Sequence, residues 1–328
     1  MDINFQLILI YLLYYLLCLV NKFKPLFILI AFFFVFFTLY FRFEVPYKYN
    51  ADYWGYYMLA KEKFEFSFMK IFSEPYFPII YDFFSSLFGD FFKSLHAVYL
   101  FNYIICTIFF IWIAIKKDIL FIFKIICFVL YYFLFTYTVV RNSIAYLLIT
   151  IMLYKLLRNH KFLMGYFSFL FHASSLPIIA ATFLKFKKPT PKILLYIIIG
   201  VGIFGALLNT AVFFHVINKF DAYSGGGTIA INLTFHRLYF GGMCMFFLLM
   251  YYLDRNAIFN SFFLSLFLLY IILFFINPVM SFRYSVYLVL YLCVYPHKRL
   301  KYESFINFCS LILFVYFIFT FYSTHPLM

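Results

Sequence analysis

Residues 138–176 read TVVRNSIAYLLITIMLYKLLRNHKFLMGYFSFLFHASSL. Arg141 heads one apolar run, His172 interrupts a second, and a basic cluster from Arg158 to Lys161 separates them. Ionisable groups inside hydrocarbon are costly, which makes both residues functional candidates. The first run, 141–157, is long enough to cross most of a bilayer as helix at ~1.5 Å per residue. The second, 162–184, decides the fold, because its path sets the side on which every later loop lies.

If 162–184 crosses once, the basic segment Lys185–Lys192 falls opposite Lys22, Lys24, Lys116, Lys117, Arg158 and Lys161, and the segment His297–Lys301 follows it. If it enters and returns, turning near His172–Pro177, all these loops share one side. The 26 Lys and Arg then divide 16 inner to 10 outer, against 11 to 15 for the single pass. Basic residues in short loops accumulate on the cytoplasmic side. The spacing therefore predicts a re-entrant helical hairpin at 162–184, with arms of about half the hydrocarbon thickness. Broken helices at membrane depth are tolerated where they line a cavity or pack on protein.

The rest of the chain fits this frame. It has 328 residues, 67% of them hydrophobic, and its mean hydropathy is +0.98. Apolar runs place transmembrane helices at 3–20, 25–41, 95–115, 119–138, 141–157, 192–214, 236–253, 257–277, 281–296 and 304–322. The fold class is thus an all-α polytopic integral membrane protein. It has about ten transmembrane helices in a single domain, 1–328, with both termini outside. The runs are continuous rather than alternating, which excludes a β-barrel. The N-terminus has no basic segment or small-residue cleavage site, so the first run is expected to be a retained span. Long outer loops are expected at 42–94, with an amphipathic stretch from Tyr76 to Phe88 lying in the interface, and at 215–235, with a flexible Gly225–Gly227 tip. The formal charge of +14 follows from the basic loops and does not point to nucleic acid. The six cysteines lie in or beside apolar runs without metal-ligand spacing, as small core residues do. The 55 Phe and 32 Tyr suggest AT-rich codons and carry no functional weight.

Nine of the twelve acids are placed outside, and no span contains a buried carboxylate. Arg141, Arg237 and Arg283 head spans on that same outer side. A guanidinium stays charged and grips phosphate bidentately, so the three suit a lipid-linked phosphate or pyrophosphate. Helix-end arginines also snorkel to headgroups, and that plain role is the competing one. Asn142, Ser143 and Ala145 form a small-residue face beside Arg141, and Gly241–Gly242 follow Arg237. Arg283 follows the helix breaker Pro278. His172 could accept a proton, donate to phosphate, or cap carbonyls freed by the turn. Ser174 and Ser175 are placed to cap the returning half-helix, whose positive end suits an anion. No metal cluster and no cofactor motif is visible.

In order, the chain offers Asp52 with Tyr56; Glu74-Pro75-Tyr76-Phe77; Arg141-Asn142-Ser143-Ile144-Ala145; and His172-Ala173-Ser174. Between about residues 50 and 185 this set resembles the EpsG family of bacterial polysaccharide polymerases, the Wzy-type enzymes of O-antigen and capsule. Asn142 stands where glutamine is usual, and beyond residue 190 only Arg283 matches. The resemblance implies a metal-independent membrane glycosyltransferase in the bacterial inner membrane, acting at the outer, periplasmic face. It would join oligosaccharide repeat units carried on undecaprenyl pyrophosphate into O-antigen, capsule or exopolysaccharide. A chain-length regulator and membrane lipids would be its other partners. Arg141, Arg283 and Arg237 would hold the pyrophosphate, and Asp52, Glu74 or His172 would take the proton. Tyr56, Asn142 and Ser174 would contact substrate. Two other classes use similar parts. A lipid-linked oligosaccharide flippase normally shows more spans and an internal repeat. A membrane O-acyltransferase would arrange His and Arg around a cavity open to a cytoplasmic acyl donor.

Overall fold

The structure, a computed structural model, describes residues 3–20, 24–44, 52–61, 75–183, 233–253, 261–276, 278–296 and a few positions between 308 and 315. Among these residues the regular elements are helical and no strand occurs. The α-helices are α1 (Ile3–Leu19), α2 (Lys24–Glu44), α3 (Tyr53–Lys61), α4 (Tyr76–Phe88), α5 (Phe91–Ile115), α6 (Phe121–Phe133), α7 (Val140–Leu156), α8 (Leu176–Phe183), α9 (Leu233–Leu253), α10 (Ser261–Ile276) and α11 (Pro278–Val294). Three helical stretches, Lys24–Phe43, Phe91–Ile115 and Phe121–Thr138, are long and apolar enough to cross a membrane. Shorter apolar helices include Phe5–Leu19, Arg237–Leu248, Leu266–Phe275 and Arg283–Val294. Each expected span on described residues coincides with a helix, with ends that differ by a few residues. The spans expected at 192–214 and, for the most part, 304–322 lie outside the described residues, as do the Gly225–Gly227 tip and Cys309.

Local chemistry explains the element ends nearest the site. α4 stops at Gly89, whose φ of 62° lies in the left-handed region that suits glycine, and whose N–H bonds the Ser85 carbonyl. Asp90 then caps α5 by accepting from the Lys93 N–H at 2.8 Å. α2 runs on to Glu44 and α5 starts at Phe91, so the expected loop 42–94 is shorter at both ends. Tyr76–Phe88 is helical as expected. It buries Tyr76, Phe77 and Tyr81 while exposing Ile79, Phe83, Leu87 and Phe88. An apolar outer side of this kind suits the membrane interface.

α6 ends in a π-helical turn, Leu134–Thr138, closed by the Val139 N–H on the Leu134 carbonyl at 2.9 Å. Such wide turns leave carbonyls poorly placed. Asn102 of α5 serves one of them, donating Nδ2–H to the Phe135 carbonyl at 2.8 Å, and its Oδ1 accepts from Ser143 Oγ of α7 at 2.7 Å. The π turn, α5 and the first turn of α7 are thereby bolted together.

α7 and α11 pack side by side and run parallel. At one end Tyr146 donates its hydroxyl to the Arg283 carbonyl at 3.3 Å. At the other, Arg158 Nη1 donates to the Val294 carbonyl at 2.9 Å. Arg158 also pairs with Asp118 in the α5–α6 turn and lies 3.7 Å over the Tyr154 ring. The expected topology likewise starts both helices on one side; the 192–214 span on which the re-entrant reading also depends lies outside the described residues. After α7, Leu163–Leu170 form a 3-10 helix against α7, the chain turns at Phe171–His172, and α8 follows. Both arms are short, ~16 Å and ~12 Å by helical rise. Gly165 allows the close approach: a Cβ there would lie 2.5 Å from Met152 Cβ.

Candidate functional site at the Arg141 end of the bundle

The first turn of α7 is the floor of the site. Arg141 is its second residue, so the guanidinium and the open N–H groups of the helix start both favour an anion. One N–H of that turn is already committed: the Arg141 amide donates to Tyr56 Oη at 3.3 Å. The Arg141 guanidinium carbon lies 5.8 Å from the Tyr56 ring centroid. Tyr56 comes from α3, which caps this end of the bundle. α3 packs through a cluster of Tyr53, Tyr56, Ala60, Phe77, Tyr81, Leu95, Val98, Tyr99 and Val140. Apolar burial holds the cap down, and with it the tyrosine under the arginine.

Asp52 precedes α3 and completes a charged group of three. Desolvation raises its carboxyl above the ordinary carboxylate range, while Arg283 and then Arg141 pull it back down. Two arginines from distant parts of the chain therefore act on one carboxyl. Burial pushes the Tyr56 phenol up to about 12, with Arg141 opposing and Asp52 reinforcing. Tyr56 is thus a neutral hydrogen-bonding group at neutral pH rather than a base.

Arg283 leads down to the turn at His172. Four residues on, ~6 Å along α11, Tyr287 lies with its hydroxyl 3.0 Å from Ser174 Oγ. Ser174 Oγ lies 2.5 Å from His172 Nδ1, and the Ser174 N–H donates to the same nitrogen at 3.2 Å. The Tyr287 ring also packs edge-on to Tyr146 at 4.8 Å. His172 is buried, and Phe171 beside it meets the Tyr76 ring at 4.9 Å. Ser174 Oγ is shared between His172 and Tyr287, and Ser175 Oγ donates back to the His172 carbonyl at 2.9 Å.

The structure thus brings Asp52, Tyr56, Arg141 and Arg283 together, with His172 and Ser174 linked to Arg283 through Tyr287. Asn142 is buried in α7 next to Arg141. Arg237 stands at the same end, two residues before Tyr239, whose hydroxyl meets Ser285 Oγ at 2.7 Å. Its own side chain is exposed, and no described contact joins it to the Asp52 group. Glu74 lies outside the described residues. Among the described residues no group of three His, Cys, Asp or Glu could hold a metal ion.

Two site neighbours escape a reading of the sequence alone. The Tyr76 hydroxyl is buried with no hydrogen-bond partner among the described residues, next to Phe171. Its place after Glu74-Pro75 is the only available signal. Arg42, in the last turn of α2, is 2% exposed and sits between two tyrosine rings.

A membrane-embedded helical bundle with a charged group at one end is the class that fold and site define. A profile of the EpsG family matches residues 25–327, and the chain belongs to that family. Membership points to a polysaccharide-polymerase-type membrane protein. No significant match is found among curated proteins or among solved structures.

Proposed function

We propose that this protein polymerises undecaprenyl-pyrophosphate-linked oligosaccharide repeat units by glycosyl transfer at the outer face of the bacterial inner membrane. The observation that carries the reading is the convergence of Asp52, Arg141 and Arg283 at one end of the bundle. Two fixed cations beside one desolvated carboxyl supply the two functions this transfer needs.

A hydroxyl of the incoming repeat unit attacks the reducing-end sugar carbon of the growing chain. A carbon–oxygen bond forms there as the bond to the lipid pyrophosphate breaks. Arg141 and Arg283 take up the charge that develops on the departing pyrophosphate, where fixed donors act best. The hydroxyl proton passes to a carboxylate, and Asp52, with its raised pKa, is the one the described residues offer. His172 lies deeper and donates to a phosphate oxygen. Tyr56 holds Arg141 through its ring and its hydroxyl.

The test is polymer formation from purified lipid-linked repeat units at matched protein levels. Arg141→Ala abolishes polymer and leaves single repeat units on the lipid. Arg141→Lys is also poor, since a point charge does not replace a planar fork. Polymer of normal length from Arg141→Ala overturns the reading. Unpolymerised units trapped on the cytoplasmic side would favour a flippase.

A further inference from the structure

We infer that Arg42 is a positioning residue for Arg141, holding it through two aromatic routes. The Arg42 guanidinium carbon lies 4.9 Å from the Tyr137 ring centroid and 5.4 Å from that of Tyr99. Tyr137 belongs to the π turn that leads into α7, four residues before Arg141. Tyr99 stands edge-on to the Tyr56 ring at 5.9 Å. Tyr56 in turn lies under the Arg141 guanidinium and accepts from the Arg141 N–H. One route thus runs from Arg42 through Tyr99 and Tyr56 to the Arg141 side chain and amide. The other runs through Tyr137 and the π turn to the Arg141 backbone.

A buried cation is an expensive way to fill space, and an apolar side chain would pack between two rings at less desolvation cost. A cation between tyrosine faces gives something an apolar residue does not, a directional attraction to each ring. It also sets the Tyr99 face against which Tyr56 is seated. Arg42 lies in the last turn of α2, so it ties that helix to the turn from which α7 begins. The π turn is closed by its own Val139–Leu134 bond and tied to α5 by Asn102, and Arg42 adds a fixing point from α2.

This inference rests on the proposed pyrophosphate site, and inorganic pyrophosphate serves as the probe. Binding is measured calorimetrically on the full-length protein in nanodiscs, for the wild type, Arg42→Met, Arg42→Lys, Arg141→Ala and the double variant Arg42→Met/Arg141→Ala. Arg42→Met should weaken binding roughly tenfold, the loss expected when one charge-assisted contact is misplaced. Arg42→Lys, which keeps a cation between the rings, should recover most of that loss. The double variant should bind no more weakly than Arg141→Ala alone, because Arg42 acts only through Arg141. Additive losses, or equal losses for Met and Lys, overturn the inference, as does wild-type binding by Arg42→Met. If Arg42→Met does not fold, Tyr137→Leu replaces it and should reproduce its loss. A wild-type protein that does not bind pyrophosphate removes the proposed function itself, a separate failure visible before any variant is compared.

Discussion

The hydrogen bonds at His172 decide which of its nitrogens carries a proton. The Ser174 backbone N–H can only donate, so Nδ1 accepts, and in the neutral ring the proton sits on Nε2. On the proposed reading it is Nε2–H that donates to phosphate. His172→Gln, whose amide nitrogen falls near the Nε2 position, should keep part of the polymerising activity, and His172→Asn, whose amide falls near Nδ1, should resemble His172→Ala. Equal loss in all three would assign a base instead, since an amide accepts no proton. Asp52 gives a second prediction at this scale. Its carboxyl is raised by desolvation and lowered by Arg283 and Arg141. Arg283→Ala removes one lowering influence, so the carboxyl rises further. With Asp52 as base, the acid limb of the pH–rate profile moves to higher pH, and Asp52→Asn loses that limb along with the rate. An acid limb unmoved in Arg283→Ala would take Asp52 out of the reaction. Arg141 and His172 were legible in the sequence because each breaks an apolar run. The pairing of Asp52 with both arginines was not, because no local pattern joins three segments so far apart. Arg42 was hidden for another reason: a basic residue ending an apolar run reads as an ordinary headgroup contact.

At the scale of elements, hydrophobic runs located the helices because a bilayer demands long, internally bonded segments. The break at Phe171–His172 was legible from the His-Ala-Ser-Ser sequence inside an apolar run. The π turn at Leu134–Thr138 was not, since it contains no proline or glycine to mark a break in the helix. Only Asn102, Ser143 and their partners reveal what holds it. The 3-10 arm offers the sharpest test of packing. Gly165→Ala would place its new methyl group 2.5 Å from Met152 Cβ and within 2.8 Å of Cγ and Sδ. Forced overpacking costs ~1–3 kcal/mol, so thermal unfolding in detergent should fall by several degrees. Adding Met152→Ala, which removes Cγ and Sδ, should restore part of the loss. An unchanged Tm in Gly165→Ala would mean that the arm does not lie against α7.

For the molecule as a whole, the parallel course of α7 and α11 was reached from the sequence only through the count of basic residues on each side. Loop charge reports orientation, and the shared direction of the two helices agrees with it. Compartment reporters fused after Asn159 and after Pro296 should read the same side, and one placed between Gly89 and Asp90 should read the opposite side. The first two follow the Arg158 ends of α7 and α11, and the third sits where α4 hands over to α5. Disagreement between the first two would separate Arg141 from Arg283 and dissolve the charged group. The cap of α3 and α4 shows where sequence reading stops at this scale. Its helices could be marked, but their seating on Leu95, Val98 and Tyr99 depends on side chains from a helix that is itself unremarkable in sequence.

The parallel pair of α7 and α11 is braced like a ladder with a rung near each end. Arg158, Asp118, Tyr154 and the Val294 carbonyl make one rung, and Tyr146 on the Arg283 carbonyl makes the other. The rungs stand ~18 Å apart by helical rise. A frame braced at two heights resists tilt, so the spacing between Arg141 and Arg283 is held from both ends of the bundle. On the proposed reading, that fixed spacing is what lets the two guanidiniums meet one pyrophosphate without rearranging.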